Sequence, residues 1–280
     1  MKFTKYIYNK LKYINRNASP IMYNVETVKK NKVNLQYCNR EPNIGDILSP
    51  VVVNFCLQKN HIQQSKSKTK HLFAIGSIID FGYQDATIWG SGLLNNFAIE
   101  NLKKAKFIGR KLDIRVVRGP YTKQLLERAG YQYPEKFGDP AVLMPMIYQP
   151  QTEKKYKVSV IQHIGGANER EIGDIHTISM VSDDYKGVID SIVASEKIIS
   201  SSLHGLILAE SYGIPAIFVA KDTMSQLMKY YDWYESTGRR EFKIASSYKQ
   251  ALTMEPTELP DLKKMQNLLL NEFPIDIYKE

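Results

Sequence analysis

Cysteine is scarce in this chain. Cys38 and Cys56 are the only two among 280 residues, too few for a disulfide framework and without the CxxC spacing of a zinc site, so a reducing compartment fits. No apolar run approaches the roughly 20 residues that a membrane-spanning helix needs. The N-terminus lacks the apolar stretch and small-residue cleavage site of a secretory signal. The expectation is a cytoplasmic protein, with peripheral contact to the inner face of the cytoplasmic membrane as its one extension. There is no GxGxxG between a strand and a helix, which leaves a dinucleotide site unsupported, and no GxxxxGK[ST] phosphate loop. Neither HExxH nor any His/Cys/Asp cluster with metal spacing occurs, so no metal and no bound cofactor are expected. GxSxG is missing as well, which leaves Ser200 and Ser201 as strand-end and capping residues rather than nucleophiles.

Charge is present but unevenly placed. The formal net charge is +9, and residues 1–32 carry eight basic side chains against Glu26 alone, a net +7. The body is therefore close to neutral. It shows no basic stripe with interleaved aromatics, so nucleic acid is not an expected partner. Within residues 1–17, Phe3, Ile7, Leu11 and Ile14 keep helical spacing among lysines and tyrosines. A cationic amphipathic helix of this kind lies on an anionic lipid surface, or it packs on its own domain. Both readings stand at this level.

The body alternates strand-like and helix-like segments. "KVNLQY" (32–37), "HLFAIG" (71–76), "ATIWG" (86–90) and "DIRVVRG" (113–119) are short runs rich in β-branched residues, each closing near a glycine or turn. Helical runs such as Ile47–Leu57 and Tyr121–Arg128 fall between or after them, the latter opened by Gly119-Pro120 and stopped by Gly130. A polar break at Gln149–Tyr156 precedes a second series: "KVSVIQH" (157–163), "HTISMV" (176–181), a helix over Tyr185–Ala194, "KIIS" (197–200), a helical run Leu206–Tyr212 with His204 in the first turn, and "AIFV" (216–219). Such alternation predicts an α/β fold with parallel sheets. Two series suggest two facing Rossmann-like domains, residues 1–150 and 151–258. The segment 259–280 holds a closing helix, with Leu262, Met265, Leu268 and Leu269 on one face.

In open parallel sheets, ligands bind outside the carboxyl ends of the strands. Most of the polar clusters fall at that edge: "NIGDIL" (Asn43–Leu48), "GSG" (Gly90–Gly92), "VRGP" (Val117–Pro120), "FGDPAVL" (Phe137–Leu143), "QHIGG" (Gln162–Gly166) and "SSSLHG" (Ser200–Gly205). Arg118 at a strand end, and His204 and Ser202 at a helix start, have the makings of an anion site, since helix N–H groups and an arginine fork both suit phosphate and carboxylate. Each also has a plain structural reading. His204 could be a core histidine at a helix start, Arg118 half of an ion pair, Asp46 and Asp139 helix caps. Tyr231, Trp233 and Tyr234 could stack on a sugar or simply pack.

The blocks "NIGD", "GSG", "VRGPYTKQLLERAGY", "GDPAVL", "VIQH", "IDSIVASEKIISSSLHGLILAESYGIPAIF" and "KYYDWYESTG", in this order from Asn43 onward, make the chain similar to the polysaccharide pyruvyl transferase family. The resemblance implies a GT-B-like pair of domains with a cleft between them. It implies transfer of the pyruvyl group of phosphoenolpyruvate, a co-substrate rather than a cofactor, onto two hydroxyls of a sugar as a ketal. The acceptor would be a galactose-type residue of a lipid-linked oligosaccharide in exopolysaccharide or capsule assembly. On this pattern His204 carries a proton, and Asp46 and Asp139 orient or deprotonate the sugar. Arg118 grips the donor, and Ser202, Leu203, Gly205, His163, Asn43, Gly45, Ser91 and Lys229 line the substrate site. Gln162 stands where relatives carry proline before the histidine, and Ser202 where some carry arginine; Lys221, Lys229 or Arg239 could replace that cation. Two other readings share the layout: a nucleotide-sugar-dependent GT-B glycosyltransferase, and a non-catalytic lipid-surface or polysaccharide-binding module.

Overall fold

Short β-branched runs become nine strands in two wholly parallel sheets in the computed structural model, which describes residues 29–38, 42–63, 68, 70–162, 173–220 and 227–279. The basic segment 1–17, His163 and Lys221 lie outside the described residues. In the first sheet β1 (Val33–Gln36), β2 (Lys70–Phe73), β3 (Ala86–Trp89) and β4 (Leu112–Val116) lie side by side in sequence order. In the second, β5 (Ser159–Ile161) is flanked by β6 (His176–Ile178) on one side. On its other side follow β7 (Ile198–Ser200), β8 (Ala216–Val219) and β9 (Ile244–Ala245). The chain thus reverses direction across the sheet between β5 and β7. The crevice outside the carboxyl ends of two such strands is where open α/β sheets take ligands.

Strand side chains alternate between faces, so neighbouring residues enter different cores. Leu72 and Trp89 join one apolar cluster, Phe73 and Ile88 another. In the second sheet Ile161 and Phe218 join the first cluster, while Val160 and Ile217 face a third. The inner faces of both sheets therefore share a single core. Helix α1 (Ile44–Lys59) lies in that core and buries Ile44, Leu48, Val52 and Cys56, a stripe with a spacing of four. Each such aliphatic side chain contributes about 1.5–3 kcal/mol on full burial. Burial also pushes the Cys56 thiol up to about 12, which keeps it protonated.

The outer face of the first sheet carries α2 (Ala98–Phe107) and α3 (Pro120–Arg128). A 3₁₀ turn (Pro140–Leu143) and α4 (Met144–Ile147) lead to the second sheet, where α5 (Tyr185–Val193) and α6 (Leu203–Ser211) follow β6 and β7. Helix α6 buries nearly every residue, as a helix without a polar face must. The remaining helices are α7 (Met228–Ser236), α8 (Tyr248–Leu252) and α9 (Lys263–Asn271). Helix α9 returns to the first half: the Trp89 indole donates to the Leu269 carbonyl at 3.0 Å, and Gln266 donates to the Val142 carbonyl at 2.8 Å.

One sequence boundary moves with consequence. The first body helix begins at Ile44 rather than Ile47, because the Asn43 side chain accepts the Gly45 N–H and caps it. Asp46 consequently stands in the first turn of α1, not in a preceding loop.

Candidate active site

His204 is the second residue of α6, whose start is fixed by the serines ahead of it. The Ser202 hydroxyl accepts the Gly205 N–H, and the Ser200 hydroxyl bonds both the N–H and the carbonyl of Ser202. The Ser201 hydroxyl meets the Tyr248 hydroxyl at 2.9 Å. The hydroxyls of Ser200 and Ser202 shape the turn from β7 into α6, and that of Ser201 ties the turn to Tyr248. Gly205 permits that turn, since a Cβ there would lie 2.6 Å from the Ser200 hydroxyl. Leu203 is buried in the shared core.

Two other segments converge on the imidazole. The first turn of α1 presses on one edge: a Cβ on Gly45 would stand only 2.2 Å from His204 Nδ1. On the other edge, Nε2 lies 3.6 Å from the Asp139 Oδ2 atom. Asp139 is fully buried and fixed, its Oδ1 accepting the Ala141 N–H at 3.0 Å and so capping the 3₁₀ turn. Both Nε2 and Oδ2 are buried, and neither has a hydrogen-bond partner among the described residues. Buried polar atoms without partners are uncommon, and those found mark strained or functional places. The loop carrying Asp139 is seated on the end of β3, where Gly90 has φ +92 and a Cβ would strike Pro140 at 2.2 Å.

Asp46 completes the cluster. Burial pushes its carboxyl above the ordinary range, an effect opposed by the nearby His204 and by the Asn43 amide. A carboxyl so placed suits proton transfer. The N-termini of α1 and α6 both lie here; the first-turn N–H groups of α1 are taken up by Met180 and Asn43, and the positive end of each helix dipole favours an anion. The arrangement offers an imidazole facing one buried carboxylate and near a second, at the start of two helices.

Arg118, expected to grip an anionic donor, is wholly buried, and its Nε has no hydrogen-bond partner among the described residues. Its guanidinium donates to the Ser77 hydroxyl at 2.7 Å and the Leu93 carbonyl at 2.7 Å, and pairs with Asp232 at 3.3 Å. Gly92 leaves room for it, since a Cβ there would sit 2.5 Å from the guanidinium carbon. Ser91 is likewise internal, its hydroxyl donating to the Gly76 carbonyl at 2.8 Å. Lys229 is buried with its ammonium 5.0 Å from the Tyr230 ring centre. Arg239 holds Glu210 through both carboxylate oxygens, at 2.7 and 2.8 Å. Trp233 and Tyr234 are core residues, the first donating to Glu210 and the second stacked on Phe242. Among the described residues no group of three or more His, Cys, Asp or Glu is placed to hold a metal.

The structure thus joins His204, Asp139, Asp46, Gly45, Asn43, Ser202 and Gly205 at one place, and buries Arg118 and Ser91 in the packing of the first half. The facing of Asp139 and His204 has no sequence signature. Each residue stands out alone, in "GDPAVL" and "SSSLHG", but only the packing of the 3₁₀ turn against α6 pairs them.

The family model described as polysaccharide pyruvyl transferase matches residues 43–223, which include Asp46, Asp139 and His204. Uncharacterized protein L143 of Acanthamoeba polyphaga mimivirus is 27% identical over 181 residues, 60% of this chain and 60% of its own length. Succinoglycan biosynthesis protein ExoV of Rhizobium meliloti (strain 1021) is 30% identical over 135 residues, 46% of this chain and 42% of its own. The chain spans less than two thirds of the length of either relative.

Proposed function

We propose, for a chain that belongs to the polysaccharide pyruvyl transferase family, that it moves the pyruvyl group of phosphoenolpyruvate onto two hydroxyls of a sugar and releases inorganic phosphate. The observation that carries this reading is the imidazole of His204 facing Asp139 at 3.6 Å, with Asp46 near it, at the start of two helices. Phosphoenolpyruvate brings two anionic groups, which the positive dipole ends of α1 and α6 suit. Proton delivery to its carbon 3 makes carbon 2 electrophilic. One sugar hydroxyl then adds to carbon 2, the carbon–oxygen bond to phosphate breaks, and the second hydroxyl closes the ketal. Of the two hydroxyl protons lost, one balances that delivered to carbon 3 and the other leaves with phosphate.

His204 is assigned the proton carrier for carbon 3, with Asp139 holding the ring and stabilising its cation. Asp46, raised by burial, takes the hydroxyl proton. In this reading the two parallel sheets are GT-B-like lobes, and donor and acceptor meet at their carboxyl edges. The acceptor is a galactose-type residue of a lipid-linked oligosaccharide, with the basic segment 1–17 drawing the protein to the membrane that holds it. The likeness to a succinoglycan biosynthesis protein favours a place in surface-polysaccharide assembly. Mass spectrometry of galactose-type acceptors incubated with the protein and phosphoenolpyruvate tests it. The expected product is the acceptor plus one pyruvyl ketal with one phosphate released; unmodified soluble and lipid-linked acceptors would defeat the reading.

A further inference from the structure

We propose that helix α7 is a two-sided spacer that sets the separation of His204 and Asp139, with Asp232 and Tyr230 as positioning residues on its opposite faces. Successive helical residues are about 100° apart, so residues two apart point in nearly opposite directions. Asp232, fully buried, faces the first half of the chain. Its carboxylate accepts the N–H groups of Tyr121 and Thr122 at 2.8 and 3.0 Å, the Thr122 hydroxyl at 2.5 Å, and Arg118 at 3.3 Å. It thereby caps α3, whose own N-cap residue is Gly119 and supplies no side chain. The contact extends to the backbone, since a Cβ on Gly119 would lie 2.3 Å from the Asp232 carbonyl. Tyr230 faces the second half. Its hydroxyl donates to the Ser201 carbonyl at 2.6 Å, and its ring stacks on Phe218 with centres 4.0 Å apart.

Each grip lies one step from a member of the His204–Asp139 pair. Arg118 follows Val117, whose N–H and carbonyl bond Lys136 and Gly138 at 3.1 and 2.9 Å, so the segment ending in Asp139 hangs from the strand end that α7 holds. Ser201 belongs to the turn that delivers His204. Through these hydrogen bonds and the short chain segments between them, α7 links the loop of Asp139 to the turn of His204. By gripping both, it holds the 3₁₀ turn and α6 at the approach that leaves Nε2 and Oδ2 3.6 Å apart.

The proposal rests on the assignment of His204 and Asp139 as the reacting pair, but its test reads their geometry without substrate. The nitrogen resonances of the His204 imidazole, assigned by their loss in His204→Gln, are recorded at one fixed pH. Asp139→Asn supplies the reference change for a broken pair. Asp232→Asn keeps the shape of the carboxylate and withdraws its charge; Tyr230→Phe removes a single hydroxyl from the opposite face. Each is expected to move the His204 resonances toward those of Asp139→Asn by at least half the reference change, with the far-ultraviolet dichroism retained. Folded variants that lose thermal stability yet leave the His204 resonances in place would overturn the proposal. Should Asp232→Asn fail to fold, the Arg118→Met/Asp232→Leu pair removes both buried charges together, and the same two outcomes decide. A shift of the resonances in a protein that makes no ketal would retain the spacer and remove the transferase.

Discussion

At the scale of single residues, Asp46 combines an acid raised by burial with a position one residue from the glycine that touches His204. The raised value means the folded state holds the Asp46 proton more tightly than the unfolded chain does. Stability is therefore lost as pH climbs from the ordinary carboxylate range through the raised folded value, and is not recovered above it. Asp46→Asn has no such loss. Its melting temperature relative to the native protein is expected to be higher at about pH 7 than at about pH 3.5, below the usual carboxylate value near 3.9, and its turnover to fall at every pH. A difference in melting temperature that is the same at both pH values would show that Asp46 titrates normally. Ser200, Ser201 and Ser202 illustrate the opposite case, polar residues in the site whose hydroxyls are consumed by turn geometry.

At the scale of elements, the site depends on how closely α1 approaches α6. Gly45→Ala would place a methyl group 2.2 Å from His204 Nδ1, so the ring must shift by an ångström or more. Displacements of that order cost about 10²-fold in rate. Steady-state kinetics should show that loss in kcat, and an unchanged kcat would mean the ring does not act where the structure holds it. Helix α3 offers a stability counterpart. Asp232→Ala removes its cap and leaves the Arg118 charge buried without a partner, at a cost of about 3–5 kcal/mol. Urea unfolding should report it; a loss below about 1 kcal/mol would show that water reaches Arg118. These elements differ in how plainly the sequence announces them. Helix α3 is legible from Pro120 at its first position and Gly130 beyond its end, where φ is +83. Asn43 and Ser202 are recognisable cap types, although the onset of α1 is read three residues late. Helix α7 is harder to see, because Tyr230, Trp233 and Tyr234 are all buried and leave no clean polar face to reveal a period of 3.6. Arg118 shows a limit of another kind: a strand-end arginine suits an anion and an ion pair equally, and its partner Asp232 lies far along the chain.

At the scale of the whole molecule, two parallel sheets with separate outer cores share one inner core, and the candidate site lies where that core reaches the carboxyl ends of the strands. His204 comes from the turn after β7, beside the reversal of strand order, while Asp139 and Asp46 come from the first half. The alternation of strands and helices is enough to predict the parallel sheets, whereas His204, Asp46 and Asp139 are picked out as site residues by the family resemblance of the blocks that hold them. How the halves pack is a long-range matter that periodicity does not encode. The account comes down to acceptor-dependent phosphate release from phosphoenolpyruvate, measured side by side for the native protein and His204→Gln. The native protein should release phosphate only when acceptor is present, and the variant, still folded, should do so about 10²–10⁴ times more slowly. Equal rates for the two proteins would contradict the role given to His204 and, with it, the site described here.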